Sequence, residues 1–181
     1  MDLRRPRTVL DTQILVRAFH TGKGATGGII RALQQDRFRL VTSEPLLEEL
    51  RRVFYRPEVQ RIAPFRPLTP SDIEENISSL RAMAEVVVPG HYRVNLVSTD
   101  PNDNPVLACA IEGQAAYVVT DDRRDLLPLK AVHLAGHEPI QIVSPSGFCE
   151  SWTIESWSSP CSYLCRSGFA SPPHYGHPRQ A

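Results

Sequence analysis

The sequence predicts an α/β fold in three layers, with a central parallel sheet between helices. Three observations carry that expectation. Short apolar runs of β type, at 8–10, 38–42 and 115–120, alternate with longer stretches of helical periodicity. The run at 115–120 is apolar up to Thr120, as suits a strand covered on both faces. Acidic residues stand directly after strands, Asp11 after the first and Asp121-Asp122 after the run at 115–120. In open α/β sheets, ligands bind outside the carboxyl ends of strands.

The first strand ends at Asp11, and Ile14, Leu15, Val16, Ala18 and Phe19 continue as a buried helical start. Gly22, Gly24, Gly27 and Gly28 predict a flexible loop. Ile29, Ile30 and Leu33 then fit a helix face, and 38–42 alternates like a second strand. Ser43 follows as an N-cap, with Glu44 and Pro45 in the first turn of a helix. Leu46, Leu47, Leu50, Val53 and Phe54 recur at helical spacing. At about 100° per residue, Glu49 lies at the margin of that stripe and Glu48 nearly opposite it. Glu49 can therefore reach inward, while Glu48 is solvated.

Pro57 is expected to break this helix, and Pro64, Pro67 and Pro70 punctuate the connection that follows. Thr69 or Ser71 can cap the next helix, with Ile73, Ile77, Leu80 and Met83 on its inner face. Residues 85–88 read as a third strand, stopped by Pro89 and Gly90. The polar turn at 100–105 feeds a helix over 106–112 that Gly113 ends. That helix carries almost no polar relief and must be buried on most sides. After the strand at 115–120, Leu126, Leu127 and Leu129 form a short packing segment. Residues 140–143 are the last strand, and Pro145 to Phe148 close the fold.

A chain of 181 residues suits one domain plus a tail. Its 20 basic and 20 acidic residues balance, so the whole molecule is no polycation. The arginines nonetheless crowd the first third, which suits a basic rim around an acidic pocket and a phosphate-backbone substrate. For any single arginine a solvated helix face is the plainer reading. No apolar run is long enough to span a bilayer, and the basic N-terminus lacks a following signal-peptide core, so a cytoplasmic protein is expected. Cys109 falls in an apolar helix pattern, and Cys149, Cys161 and Cys165 make no obvious disulfide framework.

Asp11, Glu49, Asp103 and Asp122 are the four acids that this topology would gather at one sheet edge. Clustered carboxylates without matching bases repel one another and are costly to desolvate. A hard divalent cation, Mg²⁺ or Mn²⁺, is the usual remedy. Taken singly, each acid has a plainer role: Asp11 and Asp103 as helix caps, Glu49 as a partner of Arg52 or Arg56.

Four segments together resemble the motifs of PIN-domain nucleases. They are Val9-Leu10-Asp11-Thr12-Gln13-Ile14-Leu15-Val16, Ser43-Glu44-Pro45-Leu46-Leu47-Glu48-Glu49-Leu50, Asp100-Pro101-Asn102-Asp103-Asn104-Pro105-Val106-Leu107-Ala108, and Val118-Val119-Thr120-Asp121-Asp122-Arg123-Arg124-Asp125-Leu126-Leu127. Ile142-Val143-Ser144-Pro145-Ser146-Gly147-Phe148 is similar to the family's ending. Each motif alone is weak, whereas all four in order are strong. The resemblance is nearest to the toxin components of toxin–antitoxin pairs, related to VapC-type toxins.

That resemblance implies a PIN-like α/β/α domain over 1–149 and a metal-dependent endoribonuclease that leaves 5′-phosphate and 3′-hydroxyl ends. By position, Asp11, Glu49, Asp103 and Asp122 would be both catalytic and metal-binding, with Glu49 bound directly or through water. Thr12, Asn104 and Thr120 would hold the ligand carboxylates or their waters in place, though for Asn104 a helix cap alone is the simpler role. RNA is the implied substrate, and a cognate antitoxin and a homodimer are the implied partners.

Two departures stand out. Gln13 replaces the family's usual Asn, lengthening the reach of that amide. Asp121 stands where Gly is usual, so it competes with Asp122 for the ligand role or serves as a turn residue. Asp100 is similarly open between a turn-former and an outer metal contact. The tail at 150–181 departs altogether, being rich in Ser and Pro. A disordered extension fits it better than a zinc site from Cys161, Cys165, His174 and His177, whose spacing is poor, and an altered reading frame is a further alternative. Two other functions compete: a PIN-fold RNA- or protein-binding module with impaired catalysis, and a phosphohydrolase using Asp11 as nucleophile. The absence of a second Asp two residues after Asp11 counts against the latter.

Overall fold

The computed structural model describes residues 5–21, 24–62, 68–89, 104–134 and 136–154. Strand β1 (Arg7–Leu10) leads into helices α1 (Thr12–Thr21) and α2 (Gly24–Gln34). Strand β2 (Arg39–Ser43) is followed by α3 (Glu44–Phe54), α4 (Pro57–Ile62) and α5 (Pro70–Met83). Then come β3 (Glu85–Val87), α6 (Asn104–Glu112), β4 (Tyr117–Val119), a 3₁₀ turn at Leu127–Leu129, β5 (Ala131–Val132), β6 (Ile140–Val143) and α7 (Pro145–Ile154). The sheet order is β3-β2-β1-β4-β6-β5. Every pairing is parallel except that of β5 with β6 at one edge.

Strand alternation divides the core in two. Leu10, Leu40 and Val119 face one way, toward α1, α2, α3, α5 and α7. Val9, Val41 and Val118 face the other, toward α6. The result is the three-layer α/β/α architecture expected from the alternating elements. Helix α6 is as buried as its composition demands, with Leu107, Cys109 and Ala110 at 0% exposure. Among the described residues no helix is long and apolar enough to cross a membrane.

The structure departs from the expected elements in four places. Gly24, Gly27 and Gly28 lie within α2, not in a loop. Burial of Ile29, Ala32 and Leu33 outweighs glycine's helix penalty of roughly 1 kcal/mol each. Pro57 ends α3 but also opens α4, where its missing N–H costs nothing at the first helical position. Met83 is 42% exposed instead of inward, because the buried stripe of Ile73, Ile77 and Leu80 continues to Ala84. Pro145 starts a helix, α7, and Phe148 on it packs edge-on against Phe38 and Tyr117. Thr69, of the two proposed caps, forms a capping box with Asp72.

Candidate metal centre

Parallel pairing in the middle of the sheet delivers acids to its carboxyl edge. Asp11 follows β1 directly, and its N–H donates to the Val119 carbonyl at 3.0 Å, extending the β1–β4 ladder by one residue. Its own carbonyl accepts from Ile14 N–H at 2.9 Å and starts α1. Asp11 Oδ1 accepts the Gln13 N–H at 3.3 Å, so the side chain does cap that helix. Asp11 Oδ2 accepts the hydroxyl of Thr120 at 2.5 Å.

Thr120 is fully buried just past β4. Its Oγ1 also accepts the Asp122 N–H at 3.0 Å. Asp122 then turns the chain: its Oδ1 accepts the N–H groups of Arg124 and Asp125 at 2.8 and 3.1 Å. One hydroxyl therefore links the two aspartates. Glu49 arrives from the adjacent strand by way of α3, half-buried, while Glu48 beside it is exposed. Buried Thr12, at the start of α1, hydrogen-bonds to Glu49.

The electrostatics are those of a crowded acidic pocket. Burial pushes the Asp11 carboxyl above its usual range. Hydrogen bonds from Thr120 and Gln13 oppose that shift, and the charges of Asp122 and Asp121 add to it. Burial also raises Glu49; the Thr12 hydrogen bond opposes, Asp11 adds, and the cations Arg52 and Arg56 oppose. Among the described residues no basic side chain forms a salt bridge with Asp11, Glu49 or Asp122. Asp121 differs, because Arg17 on α1 forms a salt bridge with its Oδ2. The Cys109 thiol is pushed up to about 12 by burial, so it offers no thiolate nucleophile near neutral pH.

Asp11, Glu49, Asp121 and Asp122 thus share one edge with Thr12 and Thr120. Asp100 and Asp103 lie outside the described residues, as do Cys161, Cys165, His174 and His177. Asn104 is the first residue of α6. Among the described residues no group of three or more His, Cys, Asp or Glu is already arranged to hold a metal ion. The chemistry of the donors nevertheless fits one: all are oxygens, negative charge is in excess, and burial penalises that charge until a hard cation offsets it. The Arg17–Asp121 pair is not legible in the sequence. Its partners lie 104 positions apart, and the only signal was an extra acid in need of a cation.

A family model described as the PIN domain matches residues 7–124, a span that contains all four expected acids. No curated protein matches the chain.

Proposed function

This chain belongs to the PIN-domain family, and from that premise we propose that it is a divalent-metal-dependent endoribonuclease serving as the toxin of a toxin–antitoxin pair. PIN domains are typically nucleases and generally use divalent metal ions. The observation that carries the reading is the joining of Asp11 and Asp122 through the Thr120 hydroxyl, with Glu49 near enough for the charge of Asp11 to act on it.

In this reading Asp11, Glu49, Asp103 and Asp122 hold Mg²⁺ or Mn²⁺. The ion supplies, when bound, acidification of a water and charge stabilisation on the phosphate and leaving oxygen. The chain's own residues do the positioning. Thr120 fixes one oxygen of Asp11, the Gln13 N–H engages the other, and Thr12 orients Glu49. Asp121, engaged by Arg17, is assigned to holding α1 against the β4 turn and not to the ion.

The nuclease domain is assigned to 1–149 and the tail to 150–181, with the last turn of α7 carrying the helix past that boundary to Ile154. The protein acts in the cytoplasm as a homodimer, and its antitoxin restrains it by covering the acidic edge. Titration with Mg²⁺ or Mn²⁺ followed by cleavage of a transfer-RNA and messenger-RNA panel tests the activity. Cleavage that requires the metal and is lost in Asp11→Asn and Asp103→Asn supports it. Metal-loaded protein that binds RNA but cuts none of the panel would replace it with a binding module. Co-expression with the product of the adjacent upstream gene tests the toxin role, since that product should relieve growth arrest.

A further inference from the structure

Two groups stand out among the described arginines. Arg5, Arg7, Arg17, Arg51 and Arg81 each form a salt bridge with a carboxylate. Arg51 on α3 is engaged by both Glu48 and Glu74. Arg52, Arg56, Arg123 and Arg124 are exposed and, among the described residues, form no salt bridge.

Their placement is not scattered. The sheet order puts β1, with Asp11 at its end, between β2 and β4. From β2 the chain passes into α3, which carries Glu49 and, three residues on, Arg52; Arg56 stands at the junction with α4. From β4 it passes into the turn that carries Asp122, Arg123 and Arg124. Each flank therefore bears one candidate ligand acid followed by two cations that form no salt bridge among the described residues, Arg52 Nε donating only to the Glu48 carbonyl at 3.4 Å. The positive charges of Arg52 and Arg56 are felt at Glu49. Neighbouring strands lie about 4.8 Å apart, so β2 and β4, which lead into the two flanks, are about 10 Å apart with the strand of Asp11 between them. Carboxylates alone repel a phosphate. A ligand that spans this edge needs anionic groups on both sides of the centre, as a polynucleotide has and a mononucleotide has not.

We propose that Arg52 and Arg56 on one flank, and Arg123 and Arg124 on the other, form a divided phosphate grip that holds a single RNA strand across the carboxyl edge of the sheet. The grip takes phosphates on either side of the linkage above Asp11, and it rests on the ribonuclease reading for the identity of its occupant.

Fluorescence anisotropy of a short labelled single-stranded RNA, titrated with the full chain carrying Asp11→Asn to keep the RNA intact, reads the grip directly. Arg52→Gln/Arg56→Gln and Arg123→Gln/Arg124→Gln should each weaken binding about tenfold and lower the slope of log affinity against log salt by about 1.4, two contacts at about 0.7 each. Arg5→Gln/Arg39→Gln removes the same charge at the amino edge and should change neither. Should a double variant fail to fold by circular dichroism, Arg52→Gln and Arg123→Gln alone should each lower the slope by about 0.7. An unchanged slope for either flank, or an equal effect of the amino-edge pair, overturns the grip. Wild-type protein that cleaves RNA while the flank variants bind normally would sink the grip and leave the nuclease. Flank-dependent binding by wild-type protein that never cleaves would do the reverse.

Discussion

The hydroxyl of Thr120 donates to Asp11 Oδ2 at 2.5 Å while accepting the Asp122 N–H at 3.0 Å, so one buried oxygen couples the ends of β1 and β4. The two strands are direct neighbours, with Leu10 opposite Val119. Register therefore sets the spacing of the acids, and Thr120 sets the orientation of one of them. A serine could make both bonds, whereas a valine could make neither.

Thr120→Val should accordingly leave an oxygen of Asp11 without its donor and the Asp122 N–H without its acceptor. A destabilisation of about 1–3 kcal/mol is expected, together with a rise in the Asp11 pKa. Urea unfolding and carboxyl-carbon NMR titration would read both. Thr120→Ser should keep the titration close to wild type, and a valine variant with an unshifted Asp11 would show that the hydroxyl orients nothing.

Asp11 and Glu49 make the metal-free protein sensitive to pH in a defined direction. Their folded pKa values are raised, so the folded chain binds more protons than the unfolded one between the two values. The contribution of these two groups to stability is then most favourable below the unfolded values, near 3.8 and 4.5, and falls as pH rises until the folded values are passed. Asp11→Asn removes its share of that penalty. In metal-free buffer at pH 7 the variant should melt higher than wild type, by about 2–4 °C for each kcal/mol relieved, while losing cleavage. A lower melting point at pH 7 would mean that the ionised carboxylate is net stabilised by its hydrogen bonds.

Asp121 and Asp122 are adjacent but differently engaged, one by the Arg17 guanidinium and the other by backbone N–H groups through Oδ1. The Arg17–Asp121 pair is partly exposed and should contribute no more than about 1 kcal/mol. Asp121→Gly should therefore retain cleavage within a few fold and keep the rise in melting temperature on adding Mn²⁺. Asp122→Asn should lose that rise, about 2.7 kcal/mol at a hundred times Kd, and at least about a hundredfold in rate. The opposite ranking would transfer the ligand role to Asp121.

Much of this arrangement is legible in the chain itself because strands and their first following residues are local signals. The apolar run ending at Thr120 and the helical stripe that spares Glu49 each follow from a short window of sequence. What escapes is non-local or a matter of competing propensities. The glycines of α2 read as a loop because local propensity says nothing of the burial of Ile29 and Leu33. β5 has only two residues and pairs antiparallel at an edge, too short for any periodicity to register. The Arg17–Asp121 bridge and the two hydrogen bonds of the Thr120 hydroxyl depend on which strands become neighbours, and periodicity does not encode that order.

Gly113 shows how closely the second layer approaches the sheet. It follows α6, where its N–H donates to the Cys109 carbonyl at 2.9 Å, and its carbonyl accepts from Arg7 Nε at 2.5 Å. A methyl group at Gly113 would lie 2.3 Å from Val41 Cγ1 and 3.0 Å from the Cys109 carbonyl oxygen. Val41 is fully buried on β2, between the strand of Asp11 and that of Glu85. Little can yield there, so Gly113→Ala should cost about 1–3 kcal/mol by overpacking, read as a lower urea midpoint. Val41→Ala removes the nearer of the two obstacles. In a double-mutant cycle it should recover part of the loss, giving a coupling of at least about 0.5 kcal/mol. Simple additivity of the two substitutions would mean that the strain lies instead against the Cys109 carbonyl, or that α6 moves away as a body.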